Sequence, residues 1–155
     1  MEKVIIIGSG NVAEALAHAV AASSLHLVQV WARNAARAKE IAEAVGSPWT
    51  CRPEELAAAD IYLLAVSDRA VAEVAAALPV PENALVAHTA GSVPLEALPA
   101  KYARRAVVYP LQTFTRGRRI DFAQVPFFIE ASTPALQVEL ESFARKLSRH
   151  VLHAD

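Results

Sequence analysis

The stretch Val4-Ile5-Ile6-Ile7-Gly8-Ser9-Gly10-Asn11-Val12-Ala13 decides the architecture. A continuous β-branched run closed by a glycine is the signature of a strand buried on both faces of a parallel sheet. The next residues, Asn11 to Ala22, set Val12, Leu16 and Val20 at helical spacing. Between the two lies G-x-G-x-x-A. Gly8 permits the tight turn, Gly10 lets the backbone approach a bulky anion, and Ala13 keeps the helix close to the sheet. The amides that open such a helix lack intrahelical acceptors and carry partial positive charge, so the motif suits phosphate. A strand-to-helix turn that binds nothing has the same local form. Context separates them: here the motif follows a buried strand, opens an amphipathic helix and stands at the head of a repeating pattern.

That pattern runs through the chain. His26–Trp31 reads as a second strand and Ala35–Val45 as a helix, with Gly46 where a left-handed residue would end it. A short strand is expected at Pro48–Thr50, then a brief helix opened by Pro53. Asp60–Val66, Ala84–Thr89, Arg105–Tyr109 and Val125–Glu130 read as further strands. Helices are expected over Arg69–Leu78 and from Thr133 (capped there or by Ser132) to about Ser148, with Val151-Leu152 as an edge strand. Strands alternating with helices imply right-handed crossovers. The expected fold is α/β, a doubly wound, mainly parallel sheet with helices on both faces, and residues 1–155 form one dinucleotide-binding Rossmann domain.

Composition narrows the function classes. With 155 residues, 54% hydrophobic and 20% charged, the chain is long and apolar enough for one well-buried core. Its 15 basic and 16 acidic side chains give a net charge of −1, which argues against a nucleic-acid or anionic-membrane surface. The single cysteine, Cys51, excludes a disulfide framework, a cysteine-based zinc site and an iron–sulfur cluster. His18, His26, His150 and His153 lack metal-ligand spacing, so no metal is expected. No apolar run reaches the roughly 18 residues of a membrane span, and no leader pattern opens the chain. The expectation is a cytoplasmic protein that takes a small-molecule substrate. Without G-x-S-x-G, H-E-x-x-H or G-x-x-x-x-G-K-[ST], hydrolase, zinc-protease and P-loop readings fall away.

The end of the second strand addresses which nucleotide binds. An NAD site usually places a carboxylate there for the ribose 2′-hydroxyl. This chain reads Val28-Gln29-Val30-Trp31-Ala32-Arg33-Asn34, with Arg37 one turn on. A guanidinium can hold a 2′-phosphate through paired, charge-assisted hydrogen bonds and stack on adenine. NADP is therefore expected ahead of NAD, with Trp31, Arg33, Asn34 and Arg37 around the adenosine. Arg37 reads equally as a solvated helix residue. Gly8, Ser9, Gly10, Asn11, Val12 and Ala13 would border the pyrophosphate, and Gly8, Gly10, Asn11 and Val12 would offer it backbone N–H groups.

Ligands of an open α/β sheet sit beyond the carboxyl ends of its strands. Val66, Ser67 and Asp68 follow the fourth strand and would run beside the nicotinamide ribose, although Ser67 or Asp68 could instead cap the next helix. His88 ends the fifth strand, beside Thr89 and ahead of Gly91-Ser92. An imidazole there could bound the cofactor and donate the proton that hydride transfer requires, or it could be held by neighbouring backbone. Tyr109, Gln112 and Thr113 follow the sixth strand. Tyr109 is a second catalytic candidate or else a core ring. Arg116-Gly117-Arg118-Arg119 is a dense basic cluster that could draw an anionic substrate, or a solvated loop.

Gly-Asn-Val-Ala at the head of the first helix and Ala-Arg-Asn after the second strand resemble pyrroline-5-carboxylate reductase and the deazaflavin-dependent NADP oxidoreductases of the 6-phosphogluconate-dehydrogenase-like superfamily. Ala65-Val66-Ser67-Asp68, His88-Thr89-Ala90-Gly91-Ser92, Tyr109-Pro110-Leu111-Gln112-Thr113-Phe114 and Pro126-Phe127-Phe128-Ile129-Glu130 are similar to an uncharacterised bacterial family of Rossmann-like oxidoreductases across the whole chain. The resemblance implies an NADP-binding domain of a dehydrogenase or reductase acting on a small polar substrate, and a homodimer. Two departures stand out. Ala32 occupies a position where relatives commonly carry a hydroxyl residue. Relatives also continue into a helical C-terminal domain, whereas this chain stops at Asp155. A truncated enzyme and a non-catalytic nucleotide-sensing or partner-docking module both fit that ending. A methyltransferase-like domain binding S-adenosylmethionine is a weaker alternative, disfavoured by the missing carboxylate.

Overall fold

A computed structural model describes residues 1–117 and 120–153. Its single sheet has eight strands: β1 (Lys3–Ile7), β2 (His26–Trp31), β3 (Trp49–Thr50), β4 (Ile61–Leu64), β5 (Leu85–His88), β6 (Arg105–Pro110), β7 (Phe127–Ala131) and β8 (Val151–His153). They lie in the order β3-β2-β1-β4-β5-β6-β7-β8. Every neighbouring pair is parallel except β6 and β7. The exception has a plain cause. Among the described residues the return from β6 carries only a 3₁₀ turn at Phe122–Gln124, and a parallel neighbour would need a full crossover.

Four helices cover the sheet: α1 (Asn11–Ala22), α2 (Ala35–Val45), α3 (Val71–Ala77) and α4 (Pro134–Arg145). None is long and apolar enough to cross a membrane. Period-two alternation sends the two sides of β1 into different cores. Val4 and Ile6 meet Leu16 and Val20 of α1, Ile41 of α2 and Leu140 and Phe143 of α4. Ile5 and Ile7 share the other core with Tyr62 of β4 and Val71 and Val74 of α3. This is the doubly wound α/β architecture that the sequence pattern implies.

Local signals act as read at several ends. Gly46 ends α2 at φ 71°, and Thr133 caps α4 by accepting from the Leu136 amide. Other boundaries move for identifiable reasons. β4 is shorter than expected at both ends; at its start the Asp60 carboxylate turns back to accept the Glu2 and Lys3 amides, which holds its pKa below the usual range. The helix expected from Arg69 opens instead as a 3₁₀ turn over Asp68–Ala70, where Ser67 makes no capping bond.

Strand order reverses direction between β1 and β4. In such a sheet the crossovers leave to opposite faces at this point, so a crevice opens above the two strand ends. Gly8 and Ala65 form its floor.

A candidate dinucleotide cleft

The two glycines of the phosphate motif do different work. Gly8 sits at φ 134°, and a Cβ there would lie 2.1 Å from the Ala65 carbonyl oxygen. Both its backbone and the neighbouring strand therefore demand glycine. Its N–H donates to the Trp31 carbonyl at 2.8 Å, so this amide is spent inside the sheet and does not serve a ligand. Gly8 shapes the turn. Gly10 has an ordinary φ of −84°, and a Cβ on it would meet no atom within 4 Å. Its missing side chain leaves open space in the cleft rather than relieving a clash.

Above that space stands the start of α1. Gly10 provides no side-chain cap, and the Glu14 amide is the first to reach a helical carbonyl. The amides of Gly10, Asn11, Val12 and Ala13 have no acceptor among the described residues. Unpaired N–H groups at a helix N-terminus, beside a gap that a side chain would fill, fit a phosphate diester.

The cleft has a volume of about 750 Å³ and runs from Trp31 and Arg33 at one end to Tyr109, Gln112 and Thr113 at the other. At the first end the two arginines part company. The Arg37 guanidinium is largely buried: its Nε donates to the Ser9 carbonyl at 3.0 Å, and it pairs with Glu14 at 3.4 Å and Glu40 at 2.5 Å. It braces the phosphate loop against both helices and does not line the cleft. Asn34 is likewise occupied, capping α2 by accepting the Arg37 amide at 3.1 Å. Arg33 lines the cleft, exposed, and makes one ion pair with Glu73 of α3 at 3.1 Å. Trp31 is buried and donates its indole N–H to the Arg52 carbonyl. Next to it a slot of about 280 Å³ opens between Trp31, Arg33, Pro53 and Val74, with Cys51 on its wall.

At the other end Val66, Ser67 and Asp68 line the cleft as expected from their place after β4. Asp68 accepts a 2.6 Å hydrogen bond from the Ser92 hydroxyl, joining the loops after β4 and β5. His88 is fully buried and does not line the cleft. Its Nδ1 accepts from the Ala90 amide at 3.1 Å, which makes Nε2–H the donor to the Pro94 carbonyl at 3.2 Å. Burial pushes its pKa below the usual value, so the imidazole stays neutral and braces the 88–94 loop. Of the two readings open from the sequence, these contacts are those of a histidine held by neighbouring backbone. Tyr109 does line the cleft, and its ring lies so close over Gly91 that a Cβ there would come within 2.4 Å of it. Its hydroxyl has no partner among the described residues. Thr89 spends its hydroxyl on the Leu64 carbonyl.

The basic cluster does not face the cleft as a unit. Arg116 pairs with both oxygens of Glu40 at 3.0 Å, and the Gly117 amide donates to Glu14 at 2.8 Å; Arg118 and Arg119 lie outside the described residues. A separate cavity of about 590 Å³ lies behind α1, but Glu14, Glu40 and Asp121 make it unsuited to phosphate. No group of three metal-ligating side chains occurs among the described residues. Sequence reading missed Glu14, Glu73 and Phe114 as neighbours of the cleft's functional groups. Glu73 lies 40 positions from Arg33, and no periodicity links them.

The model of a family described as "NADP oxidoreductase coenzyme F420-dependent" matches residues 3–91. A Bacteroides fragilis protein, provisionally named as an NADP oxidoreductase, is 36% identical, with a TM-score of 0.91 over 99% of this chain and 61% of its own. Prephenate dehydrogenase from A. aeolicus is similar in fold, with a TM-score of 0.80 at 13% identity over 100% of this chain and 60% of its own. Pyrroline-5-carboxylate reductase from Coxiella burnetii gives 0.71 at 18% identity over 98% and 58%. The chain thus spans about three-fifths of the length of these solved proteins. No protein with a curated description matches it.

Proposed function

The chain belongs to the family described as NADP oxidoreductase, coenzyme F420-dependent, and from that premise we propose that it binds NADP in this cleft and serves hydride transfer to or from a small polar substrate. The observation that carries the reading is the open gap at Gly10 beneath four unpaired amides. Those amides would hold the pyrophosphate, Arg33 the 2′-phosphate, and the slot beside Trp31 the adenine. Bound there, the nicotinamide supplies the hydride chemistry.

The protein's own side chains do the rest. Gly8 and Arg37 fix the phosphate loop, so little conformational freedom is lost on binding. His88 keeps the 88–94 loop in place from beneath, which sets Ser92 against Asp68. Tyr109, which lines the cleft and whose hydroxyl has no partner among the described residues, would donate the proton, and Gln112 and Thr113 would orient substrate polar groups.

Fluorescence titration with NADPH and NADH, for the protein and for Arg33→Ala, tests this. NADPH binds more tightly than NADH, and the variant loses at least ten-fold in NADPH affinity while NADH is unchanged. Failure of both nucleotides to bind at millimolar concentration overturns the reading.

A further inference from the structure

The second strand ends without a carboxylate, yet the fold brings one to the same place. Glu73, in the first turn of α3, reaches Arg33 at 3.1 Å, and both side chains are more than half exposed. Arg33 has no other partner among the described residues. Its guanidinium therefore meets a ligand already paired with an anion. We propose that Glu73 is a specificity-determining residue: an intramolecular competitor that the 2′-phosphate of NADP must displace from Arg33. This rests on the reading of Arg33 as the 2′-phosphate site.

The argument is one of exchange. An exposed ion pair in water is weak, because solvent and salt screen it and two flexible side chains must be held. A 2′-phosphate brings more negative charge and up to three acceptor oxygens, so it prevails over a single carboxylate on a fork-shaped donor. The displaced carboxylate then stands next to a phosphate of the same sign. Its presence lowers the affinity for the phosphorylated cofactor and leaves a cofactor without the 2′-phosphate undisturbed. With a bare ribose, the same carboxylate could stay on Arg33 or accept from the 2′-hydroxyl. Glu73 thus narrows the preference that Arg33 creates.

The experiment compares NADPH and NADH titrations of the protein, Glu73→Gln and Arg33→Ala at about 50 mM and 500 mM salt. Glu73→Gln is nearly isosteric on an exposed surface, and thermal denaturation confirms an intact fold. The expected result is NADPH bound about three-fold more tightly by Glu73→Gln at low salt, NADH not tightened, and the gain reduced at high salt. Unchanged NADPH affinity, or equal tightening of NADH, overturns the proposal. If Arg33→Ala costs NADPH affinity while Glu73→Gln raises nothing, the 2′-phosphate site stands and only the competitor is lost. If NADPH and NADH bind alike and Arg33→Ala changes neither, the 2′-phosphate reading fails and this inference with it.

Discussion

The two ends of the cleft are built from different materials. The phosphate end is made by backbone: a glycine at φ 134° packed on the Ala65 carbonyl, helix amides without a partner among the described residues, and a loop carbonyl held by a largely buried arginine. The far end is made by side chains on loops: the Asp68–Ser92 pair, a phenol lying on Gly91, and the polar groups of Gln112 and Thr113. Backbone geometry can hold only what fits it, so the first end defines a cofactor class. Side chains on loops can change without changing the fold, so under the function proposed above the second end is the one that would set substrate choice. The family match covers residues 3–91, which takes in the whole phosphate end together with Asp68 and Gly91 of the far end, and stops before Tyr109.

The sharpest test of that contrast sets the two glycines of the motif against each other. Gly8→Ala forces a Cβ into a carbonyl oxygen at a positive φ, and neither the oxygen nor its strand can yield. A loss of about 3 kcal/mol or more is expected in chemical denaturation. Gly10→Ala costs about 1 kcal/mol at most, as a helix-cap change, yet it fills the gap under the amides. Nucleotide affinity should then fall at least ten-fold with the fold intact. If Gly10→Ala binds NADPH normally, the gap is not where the phosphate sits.

The arginines give the next comparison. Arg37→Met strips a partner from the Ser9 carbonyl, Glu14 and Glu40 in a largely buried setting, and about 2 kcal/mol of stability should go with it. Arg33→Met breaks one exposed pair and should change stability by less than about 0.5 kcal/mol. Equal destabilisation would erase the distinction between brace and ligand.

Much of this was legible in the sequence, and the reasons are local. Val4–Ile7 has to be a buried strand, G-x-G-x-x-A has to turn from it into the first helix, and Gly46 has to end the second. Each of those inferences needs only neighbours within a few residues. What could not be read depends on pairing across the fold. Arg33 and Arg37 are indistinguishable as letters, and their roles diverge because Ser9 and Glu14 meet one while Glu73 meets the other. The bond from Gly117 to Glu14 spans 103 positions. His88 is similar: its place at the end of β5 was clear, but its burial beneath its own loop was not. The antiparallel β7 followed from a missing crossover helix, an absence that a strand pattern alone does not report.

His88 yields a pH test of the far end's scaffold. Its folded-state pKa lies below the usual 6.5, so on acidification the unfolded chain takes up a proton that the folded chain refuses. Stability attached to this residue is full above about pH 6.5 and is lost as pH falls below it, by at most about 1.4 kcal/mol per pH unit. Denaturation of the protein and of His88→Gln at pH 8 and pH 5 should show a smaller acid loss in the variant. Parallel curves would mean that the imidazole is not held neutral by its surroundings.

The smallest effect belongs to the phenol. Tyr109→Phe keeps the ring on Gly91 and removes only a hydroxyl that has no partner among the described residues, so stability should change by less than about 0.5 kcal/mol. NADPH affinity should not change either, because every group assigned to the cofactor's phosphates lies at the opposite end. Gly91→Ala is the informative companion. Its Cβ would collide with the ring at 2.4 Å, but a ring at the edge of a cleft can swing aside where the Ala65 carbonyl cannot. Its cost should therefore fall well short of that of Gly8→Ala, on the order of 1 kcal/mol. If Gly91→Ala proves as damaging as Gly8→Ala, the far end is as rigid as the phosphate end. Substrate choice would then have to reside in backbone as well.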